Sequence, residues 1–177
     1  MKMSNSKVAE AAQFGLPVVK VRLVREEPIF RERVVRNKDD AIDIMKEELS
    51  DYDREVFCIL NLKTDGSVIN MNIVSQGTLN ASLISPREMF KSSILSNAAG
   101  VIMMHNHPSG NVKPSMEDYE ATARMVKCGK LLDIRVVDHI VVGAESGKTY
   151  SFCEHGEIDN SFFENTGKTM EPEEWER

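Results

Sequence analysis

The chain has 177 residues, 41% hydrophobic and 28% charged, which is enough for one buried core and too few for two ordinary domains. Its net charge of −6 is concentrated at one end. Residues 154–177 carry eight acidic side chains against Lys168 and Arg177, so the remainder is neutral and lacks the basic footprint of a nucleic-acid binder. No apolar run reaches signal-peptide or membrane-span length, and Cys58, Cys128 and Cys153 form no C-x-x-C pair, which together predict reduced thiols in a cytoplasmic protein.

Residues 1–16 read as a flexible arm. Val18–Leu23 and Arg31–Val35 alternate like strands with charged outer faces. Asn37 caps a helix over about Lys38–Leu49, with Ile42, Met45 and Leu49 on one side. Glu55–Leu62 and Ser67–Ser75 form a hairpin around Thr64-Asp65-Gly66. Ser85-Pro86 opens a helix running to about Asn97, because proline is pre-set for the first helical position. The apolar run Val101–Met104 reads as a buried strand, and a helix follows from Met116 to about Lys130. Ile134–Gly143 and Lys148–Phe152 are closing strands around Glu145-Ser146-Gly147. Hairpin and crossover links alternate, so an α/β domain with a mixed β-sheet flanked by helices is expected over residues 17–153. The acidic segment 154–177 is predicted to be a mobile tail, with Phe162, Phe163 and Trp175 as its few aromatic exceptions and His155 solvated.

The chemistry is concentrated after the apolar run, in His105-Asn106-His107-Pro108-Ser109-Gly110 and Pro114-Ser115-Met116-Glu117-Asp118. Side chains at i and i+2 of an extended segment share a face, so His105 and His107 can aim at one ion while Asn106 points away. Pro108, Gly110 and Pro114 force a loop that returns Asp118 toward the pair. Two imidazoles and a carboxylate suit a divalent transition metal, with zinc the first choice. Three protein ligands leave a fourth position for water, the mark of a catalytic rather than a structural zinc. Ser115-x-x-Asp118 also has the spacing of a helix capping box, which is compatible with ligation.

The string H-x-H-P-S-G-x3-P-S-x2-D resembles the JAMM motif of MPN-domain metalloproteases. From Ile102 to Asp118, with Asp138-His139 downstream, it is similar to the RadC family in particular, over about residues 15–153. The resemblance implies a single MPN (JAB-like) domain, related to the layered architecture of cytidine deaminases. It implies Zn2+ held by His105, His107 and Asp118, with Ser115 hydrogen-bonding the metal water or the developing oxyanion. MPN enzymes carry an upstream glutamate as general base, and Glu55, before Val56-Phe57-Cys58-Ile59-Leu60, matches that placement. Glu47, Glu48 and Glu88 are rivals on predicted helices. Asp138-His139 recurs in the family, and His139 sits in a strand where it is either structural or a support for a ligand. Full-length RadC proteins also carry an N-terminal helix-hairpin-helix region, of which no Gly-containing hairpin pair is found before residue 37.

The expected activity is therefore zinc-dependent hydrolysis of an amide or isopeptide bond in a protein or peptide. The alternative is a non-catalytic RadC-like module that acts in DNA repair, recombination or mobile-element biology by binding a partner or nucleic acid. A nucleobase deaminase would need H-x-E and P-C-x-x-C, and the chain has neither at this site.

Overall fold

The computed structural model describes residues 22–24, 38–77, 84–144, 146 and 148–158. The predicted arm, the predicted strand at residues 31–35, the Asn37 cap and the segment beyond residue 158 lie outside them. Of the strand expected at Val18–Leu23, only Arg22 and Leu23 are described, and both are irregular and exposed.

Among the described residues, three helices and five strands follow in the order α1 (Lys38–Ser50), β1 (Val56–Leu62), β2 (Val68–Gln76), α2 (Pro86–Leu95), β3 (Gly100–His107), α3 (Met116–Leu132), β4 (Arg135–Gly143) and β5 (Thr149–Ser151). The sheet order is β2-β1-β3-β4-β5. Only β3 and β4 run parallel, joined by the α3 crossover, and every other neighbouring pair is antiparallel. This is the mixed α/β sheet the sequence implied.

β1 and the run from Gly100 to Asn106 of β3 are buried throughout, because these strands are covered on both faces. On one face Cys58, Leu60, Ile102, Met104 and Val142 pack against Met45 and Leu49 of α1. On the other, Ile59, Val101, Met103 and Val141 meet Met89 and Phe90 of α2 and Met125 of α3. Cys58 is one of the core residues, and burial pushes its thiol up to about 12, which makes it a packing residue and not a nucleophile.

Two helix ends differ by a few residues from the sequence reading. α2 stops at Leu95, and Asn97 takes a left-handed turn at φ 51°. α3 runs on to Leu132 and ends on left-handed Asp133 (φ 56°). Gly129, one turn earlier, is needed because a Cβ there would lie 2.4 Å from the Ile134 carbonyl oxygen, where the chain doubles back into β4. The chain also stays folded past Cys153: Ile158 is only 5% exposed and joins the α2–α3 core. His155 is exposed, yet its ring stacks on Tyr150 at 4.0 Å and its Nδ1 lies 2.8 Å from the Ser151 carbonyl.

Candidate metal centre

The site lies where β3 ends and α3 begins, on the sheet face covered by α2 and α3. β3 carries His105 and His107 outward past the core, both on the Met103 side of the strand. The Pro108–Pro114 loop then reverses the chain, and Ser115 starts α3. Its hydroxyl accepts from the Asp118 amide at 3.1 Å, while Asp118 Oδ2 accepts from the Ser115 amide and hydroxyl, each at 2.7 Å. The capping box is therefore formed and it aims the carboxylate. A hydroxyl has one proton, and that of Ser115 goes to Asp118. In this arrangement Ser115 orients the Asp118 carboxylate, and it could donate to an oxyanion only by giving up that bond.

Three donor atoms converge. His105 Nε2 is 3.0 Å from His107 Nε2 and 3.3 Å from Asp118 Oδ1, and His107 Nε2 is 3.6 Å from Asp118 Oδ2. A tetrahedral ion with bonds of about 2.0–2.1 Å holds its donors roughly 3.3–3.4 Å apart, close to the 3.0 Å between the two imidazoles and to the 3.3 and 3.6 Å from each ring to its nearer Asp118 oxygen, Oδ1 for His105 and Oδ2 for His107. The donor chemistry fits as well. His107 Nδ1 is 2.7 Å from the Asn111 carbonyl oxygen, which can only accept, so that nitrogen donates and Nε2 is the one turned to the site. Among the described residues, His105, His107 and Asp118 form a group able to hold a metal ion.

The electrostatics suit a cation. Burial drives the His105 imidazole down to about 4, so the ring is neutral at pH 7, as ligation requires. His107 is raised, first by its hydrogen bond to Asp118 and further by the Glu55 charge. Burial disfavours the charged form of Asp118, but hydrogen bonding with His107 and Ser115 outweighs it and helps keep the carboxyl well below the usual range.

Glu55 comes in from β1. The antiparallel register sets Phe57 opposite His105, and two residues further out the same face brings Glu55 alongside His107. Glu55, Ile84, Lys113 and Glu117 line a cleft of about 430 Å³ together with the three donor residues. The rivals lie elsewhere. Glu48 of α1 accepts from the Tyr52 hydroxyl, and Glu88 pairs with Lys91 on the exposed side of α2. None of Glu47, Glu48 and Glu88 lines the cleft.

Sequence reasoning missed three supporting residues. Asn106 does point away from the cleft, but its amide accepts from Val56 N–H at 2.7 Å and donates to the carbonyls of Arg54 (3.0 Å) and Tyr52 (3.3 Å). Asn111 orients His107. Thr122, one helical turn beyond Asp118, donates to the Asp118 carbonyl at 2.6 Å and lies 2.7 Å from His139 Nδ1. His139 Nε2 in turn lies 2.8 Å from His105 Nδ1, and burial holds its pKa well below the ordinary value. The i, i+4 spacing of Asp118 and Thr122 was the available signal; the His139 contact depends on strand register.

A mixed sheet with an His-x-His pair closing its central strand and an aspartate on the following helix defines a JAB-type domain with a candidate metal centre. Residues 35–157 match the RadC-like JAB domain, and the chain belongs to that family. It is 41% identical over 131 residues to a UPF0758 protein of Staphylococcus haemolyticus, covering 73% of this chain and 57% of that one. It is 39% identical over 159 residues to a UPF0758 protein of Methanosarcina barkeri, covering 88% and 67%. A Bacillus cereus relative is 42% identical over 124 residues, covering 70% and 54%. The chain thus spans about half to two-thirds of the length of these relatives. Among the described residues no helix is long and apolar enough to cross a membrane.

Proposed function

We propose that this chain is a zinc-dependent hydrolase of the JAMM type that cleaves an amide or isopeptide bond in a protein or peptide. The observation that carries this reading is the convergence of His105 Nε2, His107 Nε2 and the Asp118 carboxylate, each ring within 3.3–3.6 Å of a carboxylate oxygen and 3.0 Å from the other, on a cleft that Glu55 also lines. His105, His107 and Asp118 would hold the ion through Nε2, Nε2 and a carboxylate oxygen. A divalent ion there supplies Lewis acidity and brings the pKa of a bound water to about 7. Glu55 takes the proton from the attacking water on its carboxylate and passes it to the departing amine nitrogen. Ser115 keeps Asp118 aimed and ionised, and Asn111 keeps the Nε2 lone pair of His107 turned to the centre. Ser109, Asn111 and Lys113 also line the cleft, and their polar groups would suit contacts to a peptide backbone.

The test is zinc-loaded protein incubated with a pool of denatured cellular peptides and with isopeptide-linked peptides, cleavage being read by mass spectrometry. New cleavage products are expected with the unaltered chain. Glu55→Gln should keep about one zinc per chain and lose roughly 10²–10⁴-fold in rate. Full zinc content with no cleavage of any peptide in the pool would instead favour a non-catalytic binding module.

A further inference from the structure

We propose that His139 and Thr122 form a fixed hydrogen-bond relay that locks His105 in the tautomer whose Nε2 is bare toward the donor triangle, which makes His139 a positioning residue for the metal centre. This rests on the metal reading above, although its first test needs no metal.

The relay is read from its far end. The Thr122 hydroxyl has one proton and two close neighbours, the Asp118 carbonyl oxygen at 2.6 Å and His139 Nδ1 at 2.7 Å. A carbonyl oxygen can only accept, so the hydroxyl proton goes there and the second contact must be His139 Nδ1–H donating to Oγ1. A neutral imidazole has one N–H, so His139 Nε2 is an acceptor. Its neighbour at 2.8 Å is His105 Nδ1, which must then be the donor. His105 has in turn spent its one N–H, and the nitrogen left bare is Nε2, the atom 3.0 Å from His107 Nε2 and 3.3 Å from Asp118 Oδ1. Each assignment forces the next.

The opposite tautomer could place its N–H toward Asp118 Oδ1 at 3.3 Å, but it fails at the joints beyond His105. It would set two lone pairs against each other at 2.8 Å. Otherwise it would turn the Thr122 proton to His139 and leave two oxygens 2.6 Å apart with nothing between them. Burial removes the escape routes. His105 is 3% and His139 1% exposed, so water cannot repair a mismatch, and burial disfavours a charge on either ring even with the Asp118 carboxylate 3.3 Å from His105 Nε2. Neither ring can swivel freely: His139 stacks on Phe152 at 4.8 Å with 15° between planes, and His105 lies parallel to Phe57 at 6.0 Å. The relay also has a mechanical side. It starts from the carbonyl of Asp118 and ends on His105, so β3, β4 and α3 are tied together through two of the three donor residues. A partner that fixes the tautomer and direction of a ligating histidine is worth about 10–100-fold in metal affinity where such partners have been removed.

The variant Thr122→Val keeps the shape of the side chain and deletes the hydroxyl, and Thr122→Ser restores it. Nitrogen-15 NMR of the histidine rings in the zinc-free protein reads the tautomers directly, and the chain has only four histidines. Both His105 and His139 are expected as Nδ1–H forms in the unaltered protein. In Thr122→Val the Nδ1–H population should fall on both rings, with zinc binding, measured by chelator competition, about tenfold weaker. Thr122→Ser should return both readouts to the unaltered values. An Nε2–H form on either ring of the unaltered protein overturns the relay, and so does a Thr122→Val protein with unchanged tautomers and unchanged zinc affinity. Should the unaltered protein show both Nδ1–H forms and bind no zinc, the metal reading falls while the relay stands.

Discussion

Asp118→Asn separates the proposed metal role of the carboxylate from its part in the helix cap. Asparagine has the same shape and its carbonyl oxygen can still accept from the Ser115 amide, so α3 should keep its cap. What goes is the charge that His107 and Ser115 stabilise. Without zinc, losing charge-assisted hydrogen bonds should cost about 1–3 kcal/mol, and for a chain of this size each kcal/mol moves Tm by about 2–4 °C. Adding zinc changes the comparison. Free zinc at 100 times its Kd adds about 2.7 kcal/mol to a protein that binds it only when folded, a rise of roughly 5–10 °C. The unaltered protein should show that rise and Asp118→Asn should show little of it, so the gap between their melting temperatures widens by about 5–10 °C on adding zinc. Differential scanning calorimetry with chelator and then with buffered zinc makes the measurement, with Glu55→Gln as a control expected to respond like the unaltered chain. A zinc shift of equal size in Asp118→Asn would place the metal elsewhere, and no shift in the unaltered protein would remove the metal centre altogether.

Ser115→Ala should lower stability by about 1 kcal/mol through the lost cap and weaken zinc about tenfold through a less well aimed Asp118, with Ser115→Thr close to the unaltered chain; melting and chelator competition read the two effects separately. Gly129→Ala, a change that stabilises an open helix by about 1 kcal/mol, should here cost roughly 1–3 kcal/mol because the new Cβ meets the Ile134 carbonyl, and an unchanged urea midpoint would contradict the packing described. The zinc-free protein should lose stability as pH falls from 6.5 toward 4. His105 titrates at about 4 when folded and near 6.5 when unfolded, so the unfolded chain binds more protons across that window, about 3 kcal/mol in all for this ring, and His139 acts in the same direction. His107, raised in the fold, opposes part of the loss, and a urea midpoint that stays constant or rises between pH 6.5 and 4.5 would refute the neutral, buried state of the two rings.

Much of this was legible in the sequence because it depends on short spacings. The H-x-H pair sits on one strand face, the Ser115–Asp118 spacing is a helix cap, and Gly and Pro punctuate the turns, so element order and donor residues follow from local rules. The placement of Glu55 came only from resemblance, since its approach to His107 follows from the β1–β3 register, which pairs residues nearly fifty positions apart. His139 was ambiguous for the same reason: a strand periodicity shows which side it faces but not that His105 is its neighbour. The Ser115 proton illustrates another limit, because a motif shows which groups can bond and geometry decides which bond is made. Ile158 shows how charge can mislead at a boundary: Glu154 and Glu157 mark the segment as polar, yet one aliphatic side chain anchors it to the core.

The asparagine between the two histidines binds the stretch from Tyr52 to Val56 by three bonds, so the connector between α1 and β1 is in effect a ruler with one end held by the site. A connector of this kind tolerates exchange of its outward side chains, such as Asp53 and Arg54, and not a change of length. One added residue would either strip Asn106 of its partners or rotate Glu55 off the cleft, with every helix and strand still in place. Variation in this family should accordingly be free in residue type at positions 53 and 54 and closed to insertion between Tyr52 and Val56, although no side chain of that stretch other than Glu55 faces the centre.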